Sequence, residues 1–316
     1  MSGSLWEWCA DWWGDGYPTS NANPTGPANG TERALRGGAW VNAYTGCQTG
    51  SRGGHTPSYV NFSAGFRCAR TLDVLYRLPD EMCDVPAGTF RTSTGVEVSL
   101  NAYRIDKYEV TNKFYCDFLN DGGNDDHWHS ENTEIAKDGP GSYHVAPGVE
   151  RRPVRWVNWH DAVAFCDWRS AAEGLPAGSY HLPTEAQWEK AAGWDPVEQK
   201  LWKYAIQSDS ISCETVNYSN CVGDTTEVAH YAENTSYYGC HDMSGNVWEW
   251  CADRWGGTYP SSTLNPTGSD TGDSCLLRGG AWDYSATHCE TGYRGGNNFQ
   301  WAVLNNYGFR CARTLD

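Results

Sequence analysis

Two stretches of the chain hold one frame and carry different contents. Leu35 to Gly54 reads LRGGAWVNAYTGCQTGSRGG, and Leu277 to Gly296 reads LRGGAWDYSATHCETGYRGG. Arg, Gly, Gly, Ala, Trp, Thr, Cys, Thr, Gly, Arg and Gly recur in register, while the residues between them change. The likeness runs well beyond this loop. Placing Met1 on Met243 matches about 32 of 54 positions as far as Gly54 and Gly296. After a one-residue change in length, both copies close on the same nine residues, GFRCARTLD, at Gly65–Asp73 and Gly308–Asp316. Self-similarity on this scale marks the copies as duplicates.

The second copy follows about 160 residues of its own module and the first follows none, so residues 1–73 read as a partial duplicate of the C-terminal part. Residues 74–82 are then a linker and 83–316 a complete module. The expectation is that upstream sequence, rather than another chain, completes the first copy.

The core of such a chain is aromatic. Seventeen Trp, 18 Tyr and 35 Gly against three Met describe large rings packed on tight turns, not long amphipathic helices. A net charge of −16 repels phosphate backbones, which argues against a nucleic-acid partner. No apolar run is long enough to span a bilayer, and MSGSLWEWCADWW has neither the basic nor the apolar region of an export signal. Thirteen cysteines without a CxxC pair favour disulfides over zinc or thioredoxin chemistry, and with them an extracytoplasmic setting. Cys213 and Cys221 are candidates for a local pair.

Three helices can be placed in the complete module. VTNKFYCDFLNDGG offers Thr111 as N-cap, Phe114 and Phe118 on one face and Gly122 as the stop. NWHDAVAFCDWRSAAEG runs on Val163, Cys166 and Trp168, and PTEAQWEKAAG has the capping-box pair Thr184 and Gln187. GTFRTS and EVSLNAYRID read as short strands before them. After Gly193 the chain is rich in Gly, Asn, Asp and Tyr with few periodic runs, and is expected to be irregular.

Six motifs come in order: YEVTNKFYCDFL, PVRWVNWHDAVAFCDW, HLPTEAQWEKAA, DMSGNVWEWCADRW, LRGGAW and GFRCAR. Together they resemble the formylglycine-generating enzyme, or sulfatase-modifying factor, family. The resemblance covers residues 83–316, and its C-terminal third recurs in residues 1–73. It implies an α+β fold, a variant of the C-type lectin fold with little regular structure and long ordered loops. It further implies calcium at Asp242, Gly245, Val247 and Glu249, through two side chains and two backbone carbonyls, in keeping with calcium's preference for oxygen ligands on flexible segments. A disulfide between Cys166 and Cys311 is implied in the same way.

Enzymes of this family oxidise a target cysteine with oxygen and copper(I), a soft ion that two thiolates hold. The matching positions here are Tyr284 and Cys289, so one thiolate is replaced by a phenol. Ala281 and Ser285 also depart from the enzymes' Ser and His, while Trp248 and Asn306 match active-site positions. The partial copy has Asn42 and Cys47 and repeats the departure. A second branch of the family uses a non-haem iron and a His cluster on an attached helical domain, which finds no counterpart here. The nearest local pattern, His127 and His129 in DDHWHS, reads as a polar loop.

Between the copies, the residues that change include Asp283, Tyr284, Ser285, His288, Glu290 and Tyr293. Beyond them lies NNFQWAVLNNY, Asn297–Tyr307. Tyr, Trp, Asn, Ser and His suit adaptable binding surfaces. The expectation is a calcium-stabilised recognition module that presents Tyr284, His288, Tyr293, Phe299, Trp301 and Tyr307 to a protein, peptide or small molecule. The alternatives are an oxidase acting on a thiol through Cys289, Trp248 and Asn306, with copper, or a ligand-binding variable protein diversified by a retroelement.

Overall fold

A computed structural model describes residues 4–14, 27, 29–43, 47, 51–66, 81–121, 125–256, 263–268 and 274–315, without the side chains of 297 and 298. The expected helix stop at Gly122, the thiol of Cys68 and most of the 74–82 linker lie outside the described residues. The chain divides into two compact units, Met1–Leu72 and Asp73–Asp316.

In the first unit β1 (Trp6–Trp12), β2 (Arg33–Arg36), β3 (Arg52–His55) and β4 (Ala64–Phe66) form one sheet in the order β3-β2-β1-β4. Glu7 stands opposite Arg36 in the antiparallel pair, and Trp6 opposite Ala64 in the parallel one.

The second unit begins with β5 (Met82–Val85), the hairpin β6 (Gly88–Arg91) and β7 (Glu97–Leu100), and β8 (Tyr103–Asp106). EVSLNAYRID is thus two strands and not one, because Asn101 leaves the ladder and donates its N–H to the Asn265 side chain at 2.8 Å. Then follow α1 (Asn112–Asn120), the hairpin β9 (Ile135–Gly139) and β10 (Ser142–Val145), α2 (Trp159–Ala172), β11 (Tyr180–His181), α3 (Glu185–Gly193), and the short hairpin β12 (Trp194–Asp195) and β13 (Lys200–Leu201).

The helices begin where the sequence says. Thr111 caps α1 by accepting from the Phe114 N–H, and Thr184 and Gln187 close a reciprocal capping box on α3. On α2 the box is Asn158 with Asp161. Phe165 of α2 meets Phe114 and Phe118 of α1 at ring distances of 4.9 and 5.7 Å, and Phe309 at 5.3 Å. These edge-on contacts make the two-helix layer an aromatic core rather than an aliphatic one.

The segment after Gly193 is not irregular throughout. It carries β14 (Trp248–Arg254), β15 (Ser274–Arg278), β16 (Gly295–Phe299) and β17 (Tyr307–Gly308), in the order β16-β15-β14-β17, before β18 (Ala312–Thr314) closes the other sheet, β11-β18-β8-β5. The first four residues of β14 are all buried, so WEWCADR shows no alternation to betray a strand. Glu249 stands opposite Arg278 and Trp248 opposite Tyr307, the same order and register as the sheet of the first unit. Cys213 and Cys221 are joined in a disulfide. Cys166 and Cys311 are free thiols whose sulfurs lie 3.4 Å apart, so the expected bond is replaced by a sulfur contact.

Candidate functional site

The frame of the second copy can be built from Arg278 outward. Its buried guanidinium donates to Glu189 Oε2 at 2.7 Å, to the Thr291 carbonyl at 2.8 Å and to the Tyr293 carbonyl at 3.0 Å. Gly279 and Gly280 then turn with φ of 92° and 72°, a region that L side chains avoid. A Cβ on Gly280 would sit 2.6 Å from Cys289 Sγ, so this glycine also lets the backbone close over the thiol. From the far side, Ser219 and Asn220 donate to the carbonyls of Tyr284 and Trp282, and the nearby Cys213–Cys221 bond ties that supporting loop. The variable residues therefore sit on a fixed support. In the first unit Arg36 donates to the Ser51 carbonyl at 3.3 Å, the counterpart of Arg278 and Tyr293.

Three of the expected face residues come together. Tyr284, His288 and Tyr293 are all partly exposed, and their rings lie over the buried indole of Trp248 at 5.3, 6.4 and 5.9 Å. His288 bridges the two phenols at 5.1 and 4.7 Å, and its Nδ1 lies 2.8 Å from Ser285 Oγ. Phe299 and Trp301 are 68% and 65% exposed, and Trp301 stacks on His160 at 4.0 Å. Tyr307 does not belong to the face. It is 5% exposed, and its ring packs edge-on against Trp250 at 5.2 Å, because pairing with Trp248 in β17 draws it into the core.

Cys289 lies at the end of a 3-10 turn, Ala286–Cys289, with no exposed surface. Burial pushes its thiol up to about 12. A copper(I) site needs thiolates, and the position of the second is the Tyr284 phenol, itself raised by burial. The donor set does not fit copper(I).

Asn306, buried beside this loop, donates its Nδ2 to both oxygens of Asp283 at 3.1 Å. The sequence gives no hint of this bond, since the partners are 23 residues apart and neither lies in a periodic run.

The residues proposed for calcium form a buried turn. Asp242 and Gly245 have φ of 59° and 87°, and burial raises the Asp242 carboxyl to about 6. A third carboxylate, Glu109, faces the same turn and accepts from Asn246 Nδ2 and the Val247 N–H. Glu249, however, is held on both oxygens by Arg310 at 2.7 Å and on Oε2 by Trp188 Nε1 at 2.7 Å. The fit to a cation is therefore through Asp242 and the turn, with Arg310 competing for Glu249. His127 and His129 are occupied as well, since their rings bond the two oxygens of Asp161 at 3.0 and 2.7 Å and fasten this loop to the start of α2. Among the described residues no group of three His, Cys, Asp or Glu is arranged to hold a metal, and no helix is long and apolar enough to cross a membrane.

Comparison with known proteins agrees with this fold. The serine/threonine-protein kinase pkn1 of Chlamydia pneumoniae is 30% identical over 229 residues, covering 70% of this chain and 34% of that protein. A formylglycine-generating enzyme of Thermomonospora curvata is 32% identical over 195 residues, covering 56% and 60%. A hercynine oxygenase of Mycolicibacterium smegmatis is 30% identical over 211 residues, covering 58% and 47%. The chain thus spans between a third and three fifths of the length of these relatives. Among solved structures, variable protein 1 of Treponema denticola superposes with a TM-score of 0.56 at 24% identity, over 73% of this chain and 94% of that one. PvdO from Pseudomonas aeruginosa gives 0.57 at 21% identity, over 74% and 94%. The model for the sulfatase-modifying factor enzyme 1-like domain matches residues 1–72 and 76–315, and the chain belongs to that family.

Proposed function

We propose that this chain is a recognition module that uses the family frame to present an aromatic face, and that it does not oxidise thiols. The observation that carries the reading is the contrast at one loop. Cys289 is fully buried, while Tyr284 and Tyr293, at the changing positions, stay partly exposed. A nucleophilic or metal-bound sulfur must be a thiolate with access to its partner. A binding surface needs rigid rings over a supported floor, which Trp248, Arg278 and the Gly pair supply. Partners of this class are proteins, peptides or small molecules, and a retroelement origin for the variation adds nothing to the chemistry.

Calcium is part of the proposal as a structural ion at the Asp242 turn, where it would offset the charge of a buried carboxylate. It takes no part in recognition.

The test pairs copper(I)-loaded protein with a Cys-containing sulfatase peptide, followed by mass spectrometry of the peptide. An unchanged peptide agrees with recognition. The mass loss that accompanies conversion of the Cys side chain to an aldehyde would overturn it in favour of the oxidase.

A further inference from the structure

We infer that the face around Tyr284 and Tyr293 selects a cation that carries N–H groups, such as a lysine or arginine side chain. This rests on the recognition reading and names its ligand class. Three features of different kind share one sign. The first is Asp283, a partly buried carboxylate that forms no ion pair among the described residues and has the Asn306 amide as its hydrogen-bond partner. Its charge is felt nearby, helping to hold the phenols of Tyr284 and Tyr307 above their ordinary range alongside the larger effect of burial.

The second feature is Asn306 itself. Turning Nδ2 to Asp283 fixes the amide, since the flipped form would set oxygen against carboxylate. Its Oδ1 is left buried without a partner among the described residues, although the side chain is about nineteen-twentieths buried. A buried acceptor left unmade is costly, and an N–H donor that reaches it as the Asp283 loop yields would satisfy it. The third feature is the ring cluster. Tyr284, His288 and Tyr293 over Trp248 present π faces that attract a cation within about 6 Å.

The first unit supplies an internal contrast. The counterparts of Asp283, Tyr284 and Tyr293 are Val41, Asn42 and Ser51. Asn42 spends its Oδ1 on the Ala39 N–H at 2.8 Å, closing its own turn. Carboxylate and rings are both missing there, so the two frames hold faces of different chemistry and the cation belongs to the second.

The experiment is calorimetric titration of the full chain with Nα-acetyl-lysine amide, with butylammonium, and with Nα-acetyl-norleucine amide as the uncharged control. Lysine amide is expected to bind about tenfold or more tighter than norleucine amide, a ratio within the reach of one desolvated cation–π contact and one charge-assisted bond. Butylammonium matching lysine amide identifies a free amine as sufficient, and weaker binding of butylammonium identifies a side chain in a peptide; either agrees with the inference. Asp283→Asn and Tyr293→Ser should each remove the preference, and Tyr293→Phe should keep it. No saturable binding of lysine amide, equal binding of norleucine amide, or a preference that survives Asp283→Asn would overturn the inference. Failure of the recognition reading is separate: it is decided by the sulfatase-peptide oxidation assay. A module that leaves that peptide intact but binds norleucine amide through Tyr284 would keep the function and lose the ligand class.

Discussion

Arg278 and Glu189 are both fully buried and meet at 2.7 Å, joining the start of the variable loop to α3. The same guanidinium holds the carbonyls of Thr291 and Tyr293, so one side chain pins both ends of the loop. Arg278→Met should therefore strand Glu189 in the core and release the loop together. Removing one partner of a buried pair costs about 3–5 kcal/mol. Urea unfolding of the variant should show a loss of that size, and a loss below about 1 kcal/mol would contradict the role given to Arg278.

The two kinds of tyrosine should respond differently. Tyr307 is core, so Tyr307→Ala should destabilise by about 3–5 kcal/mol. Tyr293 is partly exposed and its counterpart in the first unit is Ser51, so Tyr293→Ser should cost about 1 kcal/mol or less. Thermal unfolding of both variants checks the ranking, and the opposite order would return Tyr307 to the surface.

The loop at His127–His129 should make stability depend on pH. The hydrogen bond to Asp161 raises the pKa of His129. Burial pushes Asp161 up, but the bonds from His127 and His129 outweigh it and hold the carboxyl below its usual range. The histidine contribution is complete below its unfolded value of about 6.5 and is lost as pH rises through its higher folded value. The Asp161 contribution is present above its unfolded value of about 3.9 and is lost as pH falls through its lower folded value. Together they are greatest between those two unfolded values. His129→Gln should flatten the fall in stability above neutral pH by on the order of 1 kcal/mol. A denaturation series from pH 4 to 9 reads this directly, and an unchanged slope would contradict it.

Chelation tests calcium. If the Asp242 turn is filled, EDTA should lower the melting temperature and Asp242→Asn should abolish the shift. An ion at about a hundred times its Kd contributes about 2.7 kcal/mol. Identical melting curves with and without chelator would remove calcium from the structure.

Much of the scaffold was legible in the sequence. Thr111, Thr184 and Gln187 announce their helices because capping is a local hydrogen bond between neighbours. The recurring frame was equally plain, since glycines recur where Gly37, Gly38, Gly279 and Gly280 take a positive φ, each pair after an arginine. What escaped depends on distant partners. β14 is buried on both faces and loses its alternation, and Tyr307 looked like a surface ring until its pairing with Trp248 turned it inward. Glu249 was read as a calcium ligand, but Arg310, 61 residues later, takes both its oxygens. The Asp283–Asn306 bond joins two polar residues that carry no pattern of their own.

The decisive comparison sets Cys289→Ala beside Tyr284→Asn with Tyr293→Ser on one peptide array, using the full chain in each case. Recognition by the aromatic face predicts that Cys289→Ala keeps the peptides bound by the unaltered protein and that the double variant loses them. Loss of binding in Cys289→Ala with retention in the double variant would place the activity at the thiol and contradict the proposal.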